Sequence, residues 1–244
     1  ETAWADKAGQ SIKAWAKELN GAFCTYFRSV EKLLVSNLKP NFIYANGLSE
    51  RDLEARLREV VSAIGAFETI DADMPEYDNT QNKKTQAVEK MIFKFLMEND
   101  GLEMYYQCRR AMRVLSDLFS YENKEVKTSG EPATLLANTL LLMVASFLIV
   151  GPKHLLGGVY KGDDSHNMVS PLMDRFNLDL KMFHELFPFP PKQAFTAVPE
   201  FCANIWYGGR LFYNYQTLAR KVLQKRFDER NFKEYQQSVL DKLG

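Results

Sequence analysis

The chain is short of the residues that mark several common chemistries. Its 244 residues include only three cysteines and three histidines. Cys24, Cys108 and Cys202 lie far apart, which excludes a disulfide framework and a clustered metal spacing and suits a reducing compartment. His154, His166 and His184 form no His-x-x-x-His pair, so zinc chemistry is not expected. Net charge is also missing, because 31 Lys plus Arg balance 31 Asp plus Glu. A protein that only coats nucleic acid carries a clear basic excess, so any nucleic-acid contact here has to come from local basic surface. No signal-peptide pattern follows Glu1, and the chain reads as a piece of something longer. The longest apolar stretch, Leu140 to Val150, is too short to span a bilayer and reads as a buried helix. There is no internal repeat and no low-complexity tract.

What is present is a hydrophobic content of 46%, enough for one large domain or two small subdomains. Ile12, Trp15, Leu19 and Phe23 fall close to one helical face. After a break at Lys39-Pro40-Asn41, Ser49 stands three residues before Asp52, a capping-box-like start for a helix with Leu53, Leu57, Val60 and Val61 on its apolar stripe. Phe67 to Asp73 alternates as a short strand that Pro75 ends. A helix follows with Val88, Ile92, Phe95 and Leu96 on one side and Gly101 as its stop. Leu115 to Thr128 reads as a hairpin, and a long helix starts near Pro132 and ends before Gly151-Pro152. Leu155 to Ser165 reads as a hairpin with Asp163 and Asp164 in its turn. Phe176 to Phe183 and Glu200 to Tyr207 are strand candidates, and after Gly208-Gly209 a helix carries Leu211, Tyr215, Leu218 and Val222 on one face and a basic remainder. This order fits an antiparallel sheet backed by helices, an α+β domain.

Three groups of residues carry chemistry. Asp73 stands at a strand end, with Asp71 on the same face by the two-residue period and Asp78 five residues on; two solvated acids would look the same. Gly162-Asp163-Asp164 occupies a tight turn, where Asp is common for conformational reasons, yet two adjacent carboxylates repel unless a cation sits between them. Magnesium favours such oxygen ligands. Ser129-Gly130-x-x-x-Thr134-x-x-x-Asn138-Thr139 places Thr134 and Asn138 on one helix face. A helix cap plus solvated polar residues explains this poorly, because Leu135, Leu136, Leu140 and Leu141 surround Asn138, and an unpaired buried amide costs about 1–3 kcal/mol. Together the groups suit two magnesium ions about 4 Å apart, held by Asp73 and the Asp163-Asp164 turn, with Asn138, Ser129 and Asp78 testing for a ribose 2′-hydroxyl.

Asp73-Met-Pro-Glu-Tyr-Asp78-Asn-Thr-Gln81 resembles motif A of positive-strand RNA virus polymerases of the alphavirus-like supergroup. Thr128 to Thr139 resembles their motif B, and Lys161-Gly-Asp-Asp-Ser165 their motif C. The Ser-Gly-Glu-Pro form of motif B, and Lys7 to Trp15 upstream, are similar to the branch that holds hepeviruses, rubella virus, benyviruses and tetraviruses. The resemblance spans nearly the whole chain in the expected order. It implies an RNA-dependent RNA polymerase core: a right-hand palm with an antiparallel sheet backed by helices, partial fingers over 1–66, palm over 67–209 with finger material at about 82–127, and the start of a truncated thumb at 210–244. It implies Asp73, Asp163 and Asp164 as catalytic ligands of Mg2+ or Mn2+, and Asp78, Ser129, Gly130, Thr134 and Asn138 at the incoming ribonucleotide. Asn177 to Lys181 resembles the end of motif D, where Lys181 would protonate the leaving pyrophosphate, and Phe201-Cys202 the start of motif E, where Cys202 would help grip the primer strand.

Implied partners are template RNA, the nascent strand, ribonucleoside triphosphates and other domains of a viral replication polyprotein. The implied location is the host cytoplasm, in membrane-associated replication complexes, although no membrane segment is present in this chain. The sequence departs from the pattern at Pro75 and at Ala203-Asn204, where glycines usually follow the motif E cysteine. Most of the basic motif F would lie before or around Lys7, and the thumb would be cut short at Gly244. Rival readings are a reverse transcriptase or another two-metal polymerase, which would not need the Ser129 to Asn138 array, a non-catalytic RNA-binding or scaffold copy of the fold, and a helical viral interaction protein with chance acids.

Overall fold

The computed structural model describes residues 15–73, 77, 81–111, 113–115, 120–122, 127–128, 130–173, 180–187, 192–195, 200–224 and 229–243. Its centre is a five-stranded sheet in the order β1 (Phe42–Tyr44), β5 (Leu155–Lys161), β6 (Asp164–Val169), β2 (Glu68–Asp73) and β7 (Lys192–Phe195). All neighbours are antiparallel except β1 and β5. Because successive side chains point to opposite faces, the sheet feeds two cores. Tyr44, Tyr160 and Ile70 join the larger one, against α1 (Lys17–Asn37), α3 (Lys83–Met97), α4 (Asp100–Ala111), α5 (Thr134–Val150) and α6 (Lys181–Leu186). Ile43, Val159 and Met168 join the smaller one, against α2 (Glu50–Ile64) and a second sheet.

That second sheet has the order β10 (Arg210–Tyr213), β9 (Asn204–Tyr207), β8 (Glu200–Phe201). Helix α2 holds it: Arg58 Nε donates to the Gly209 carbonyl at 2.6 Å, and Leu211 N–H donates to Glu54 Oε2 at 2.9 Å. A short hairpin, β3 (Arg113–Leu115) with β4 (Ser120–Glu122), lies between α4 and α5, and α7 (Tyr215–Gln224) and α8 (Glu229–Leu243) complete the order.

Local chemistry explains the helix ends. Ser49 caps α2, its side chain accepting from Asp52 N–H, and Leu53, Leu57 and Val60 face inward at three- and four-residue spacing. Asn82 and Thr85 form a reciprocal capping box at the start of α3. Helix α5 is apolar over most of its circumference, so most of it lies inside the molecule; among its buried residues are Leu136, Leu140, Leu141 and Leu142.

The structure corrects four expectations. Residues 181–186 are helix, not strand: Phe183 and Phe187 are four apart, both buried, with rings stacked at 4.9 Å. Residues 174–179 of that candidate lie outside the described ones. Leu211 belongs to β10, because Gly208 and Gly209 take φ of 57° and 78° and turn the chain back onto β9. The helix expected to stop at Gly101 ends at Met97, and Gly101 sits in the first turn of α4, where Asn99 Oδ1 accepts from Leu102 N–H. Phase differs too: Phe93 is fully buried while Phe95 is 89% exposed, and Leu19 is exposed as well.

A buried charge network ties α3, α4 and the loop before α5 together. Glu89 on α3 meets Lys127 Nζ at 2.9 Å and Arg109 of α4 at 3.3 Å. Arg109 also reaches Glu131 at 3.3 Å. Two acids and two bases thus balance in the interior, and Tyr106 and Tyr105 donate to Glu89 and Glu131 at 2.9 and 2.8 Å. Burial alone would raise the Glu89 carboxyl, but the Lys127 ammonium and the Arg109 guanidinium overcome it and hold the group below its ordinary range. Such a set stabilises only while complete.

Two outcomes check this packing. Phe93→Ala should cost about 3–5 kcal/mol in urea unfolding, whereas Phe95→Ser should stay within about 0.5 kcal/mol. Glu89→Gln strands buried positive charge and should cost about 3–5 kcal/mol at neutral pH. Because the Glu89 carboxyl is depressed on folding, its contribution is present above the ordinary value of 4.5 and fades as pH falls below it. The acid limb of stability against pH should therefore be shallower in Glu89→Gln than in the parent.

Candidate active site

The turn between β5 and β6 has two residues, Gly162 and Asp163, closed by the Lys161–Asp164 pair. Gly162 takes φ of 62°, as a two-residue hairpin with glycine first requires. A side chain there would also meet Leu135 Cδ1 of α5 at 3.3 Å. The turn is fastened to α5, because Gly162 N–H donates to Thr139 Oγ1 at 2.8 Å and that hydroxyl donates to the Leu135 carbonyl at 2.7 Å. Gly162 is buried, while Asp163 and Asp164 are exposed. Both residues are thus exposed on an anchored backbone, and Asp164 also hydrogen-bonds the Cys202 thiol.

Asp73 is the last residue of β2. The antiparallel register pairs Asp71 with His166 and Ala72 with Ser165, so one step further Asp73 runs alongside Asp164. The Asp73 side chain lies outside the described ones. The backbone thus brings all three expected metal ligands to one end of one strand pair. Among the described side chains no group of three His, Cys, Asp or Glu residues could hold a metal. The two exposed carboxylates at this end nevertheless suit a hard divalent cation.

The loop before α5 is built by Thr128 and Glu131. Glu131 Oε1 accepts from Thr128 N–H at 2.8 Å and from its hydroxyl at 3.1 Å. Trp15, stacked on Tyr105, donates to Thr128 Oγ1 at 3.3 Å, and Thr134 Oγ1 donates to the Thr128 carbonyl at 2.8 Å. Gly130 is half-buried, with its carbonyl accepting from Asn20 Nδ2 at 3.5 Å. Asn138 is buried one turn along α5 from Thr134, and its backbone carbonyl accepts from Tyr77 OH at 3.1 Å. This bond ties Tyr77 to α5. Asp78 and Ser129 lie outside the described residues.

On the other side of the turn a cavity of about 480 Å3 is lined by Lys161, Asp164, Cys202, Asn204, Tyr213 and Glu50, among others. Cys202 and Ala203 form the turn between β8 and β9 with φ of 49° and 62°. These are left-handed values rare for residues with a side chain, and they are costly without support. Burial pushes the Cys202 thiol up to about 12, and the Asp164 carboxylate beside it adds to the shift. Cys202 thus packs as a half-buried thiol against Asp164. Lys181 is exposed at the first position of α6, a helix start and not the strand position expected.

Several contributors went unread in the sequence. Thr128-x-x-Glu131 has the spacing of a capping box, a signal that could have found Glu131. Asp71 Oδ1 accepts from His166 Nδ1 at 2.7 Å across the strands, one row behind the acids, and no local pattern announces that pair. Thr139 was visible only as the residue after Asn138.

The family model described as RNA dependent RNA polymerase matches residues 2–206. The chain is 32% identical to the non-structural polyprotein p200 of rubella virus strain RA27/3 over 97% of its length, and 34% identical to that of strain M33. It spans about a tenth of those polyproteins, 11% of each. Among solved structures, an insertion-loop deletion mutant of a human picobirnavirus RNA-dependent RNA polymerase aligns with 96% of this chain and 50% of its own, at TM-score 0.67 and 12% identity. The parent enzyme aligns with 84% of this chain and 42% of its own, at TM-score 0.63 and 13% identity. The folds agree, and the α+β arrangement is that of a viral polymerase palm. With a family model covering residues 2–206 and three acids gathered at one end of its central strands, the chain belongs to the RNA-dependent RNA polymerase family.

Proposed function

We propose that this chain is the catalytic core of an RNA-directed RNA polymerase that transfers nucleotides from ribonucleoside triphosphates to an RNA 3′ end. The observation that carries the reading is the anchored turn with two exposed carboxylates, set beside the strand end that bears Asp73. Asp73 and Asp163 would hold magnesium, with manganese as a substitute, and Asp164 would assist. Bound there, the metal pair would supply charge stabilisation for the attacking and leaving oxygens of an in-line displacement.

The chain's own residues do the rest. Thr134 and Asn138 lie on one face of α5, next to the loop of Ser129 and Gly130, where hydroxyl and amide groups can hydrogen-bond a ribose. With Asp78 they select a ribonucleotide. Lys181 donates a proton to the departing pyrophosphate, and the turn at Cys202 supports the primer end beside Asp164. Residues 1–66 belong to the fingers, 67–209 to the palm with finger material at about 82–127, and 210–244 begin the thumb. Template RNA and the nascent strand are the partners, alongside other domains of a viral replication polyprotein. The site of action is the host cytoplasm, in membrane-associated complexes. Among the described residues no helix is long and apolar enough to cross a membrane.

The test is ribonucleotide incorporation on a primed RNA template with magnesium, in a preparation that includes the segment upstream of this chain. Asp163→Ala should reduce incorporation by about 10³-fold or more, the loss of several kcal/mol of charge stabilisation. Equal incorporation by parent and variant would remove Asp163 from the site. A folded parent that binds RNA without incorporating nucleotide would make the chain a non-catalytic copy of the fold.

A further inference from the structure

Helix α5 carries two adjacent strips. Thr134 and Asn138 form one, and Leu135 and Thr139, each a residue later, form the next, rotated by about 100°. The first strip is the proposed ribose reader. The second closes on the Asp163-bearing turn, through Leu135 Cδ1 against Gly162 and Thr139 Oγ1 against Gly162 N–H.

The Thr139 hydroxyl is fully committed. A hydroxyl has one donor, and here the Leu135 carbonyl takes it at 2.7 Å. That bond fixes the torsion and aims a lone pair at the turn, where it receives Gly162 N–H at 2.8 Å. Back-bonding to the preceding helical turn is ordinary for threonine. Serving an amide 23 residues away on another element is not required by the helix. Thr139 has no exposed surface and Gly162 is buried, so no solvent can replace the bond.

We propose that Thr139 is a positioning residue: its hydroxyl sets the register between the Asp163-Asp164 turn and the Thr134-Asn138 strip, so that ribose recognition and phosphoryl transfer act on the same nucleotide geometry. The inference rests on the polymerase reading above. Loss of the hydroxyl lets the turn shift relative to the helix. Incorporation of a ribonucleotide, which depends on both strips, then suffers more than incorporation of a deoxynucleotide, which lacks the 2′-hydroxyl.

The experiment uses Thr139→Val, nearly isosteric without the hydroxyl, and the pair Thr139→Ser and Thr139→Ala, which differ by one oxygen. Single-nucleotide incorporation of a ribonucleotide and its deoxy counterpart is measured in the complete protein that contains this chain. The ratio of the two rates is independent of how much enzyme is folded, so a merely structural role would not move it. Thr139→Val should lower the ribonucleotide kcat about tenfold and narrow the ribo-to-deoxy ratio. Thr139→Ser should keep the parent ratio and Thr139→Ala should not, which decides the matter if the valine variant fails to fold.

Amide exchange at Gly162 gives an activity-independent reading, with protection in the parent and in Thr139→Ser and faster exchange in Thr139→Ala. Equal ratios in Thr139→Ser and Thr139→Ala would overturn the proposal even in an active polymerase. An inactive parent with Gly162 protected would instead sink the polymerase reading, and the coupling with it.

Discussion

The balanced interior charge set of Glu89, Lys127, Arg109 and Glu131 is the constraint on which the site depends. Ions removed from water are costly, and only mutual pairing with full hydrogen bonding recovers that cost. Each member therefore dictates where the others lie. Glu89 fixes the face of α3 that turns inward, Arg109 fixes α4 against it, and Glu131 fixes the loop that feeds α5. Since Glu131 also accepts two bonds from Thr128, the electrostatics of the helical layer set the backbone of the expected nucleotide loop. Trp15 and Tyr105 cover this region with aromatic surface, which keeps water away from the pairs.

From that layer the order passes to α5. This helix is buried over most of its length, so its position is set by packing, and three of its polar residues tie it to other segments. Thr134 reaches back to the Thr128 loop, Asn138 receives Tyr77 through its backbone carbonyl, and Thr139 holds Gly162. Three motifs far apart in sequence thus meet on one rigid rod. On the opposite face of the sheet, α2 and the β8–β10 sheet bring the strained Cys202-Ala203 turn against Asp164.

Legibility in the sequence followed how local each cause is. The Ser49 cap, the stop of α5 at Gly151 and the hairpin at Gly162 rest on a few adjacent residues, and each was readable. The family motifs were readable because their order and spacing are specific. Residues 181–186 misled, because two-residue and four-residue apolar spacings overlap in short segments and only packing of Phe183 and Phe187 decides. Strand β1 was missed since its pairing with β5 is non-local. Glu89 and Arg109 look like ordinary surface charges of amphipathic helices, and only the three-dimensional closure of α3 on α4 shows them to be interior. Thr139 was hidden for the same reason, its partner being a backbone amide that has no signature.

The parallel pairing of β1 with β5 has a consequence for biogenesis. Phe42 meets Gly158, more than a hundred residues later in the chain. At ribosomal speeds of about 5–20 residues per second, β1 waits roughly 5–20 seconds for its partner. During that interval it is an unpaired edge, and its brevity, three residues, limits what it can recruit. The β5–β6 hairpin forms within its own short span, whereas the sheet edge closes late. The Gly162-Asp163 turn thus forms on a local hairpin, beside an edge strand synthesised long before it could dock.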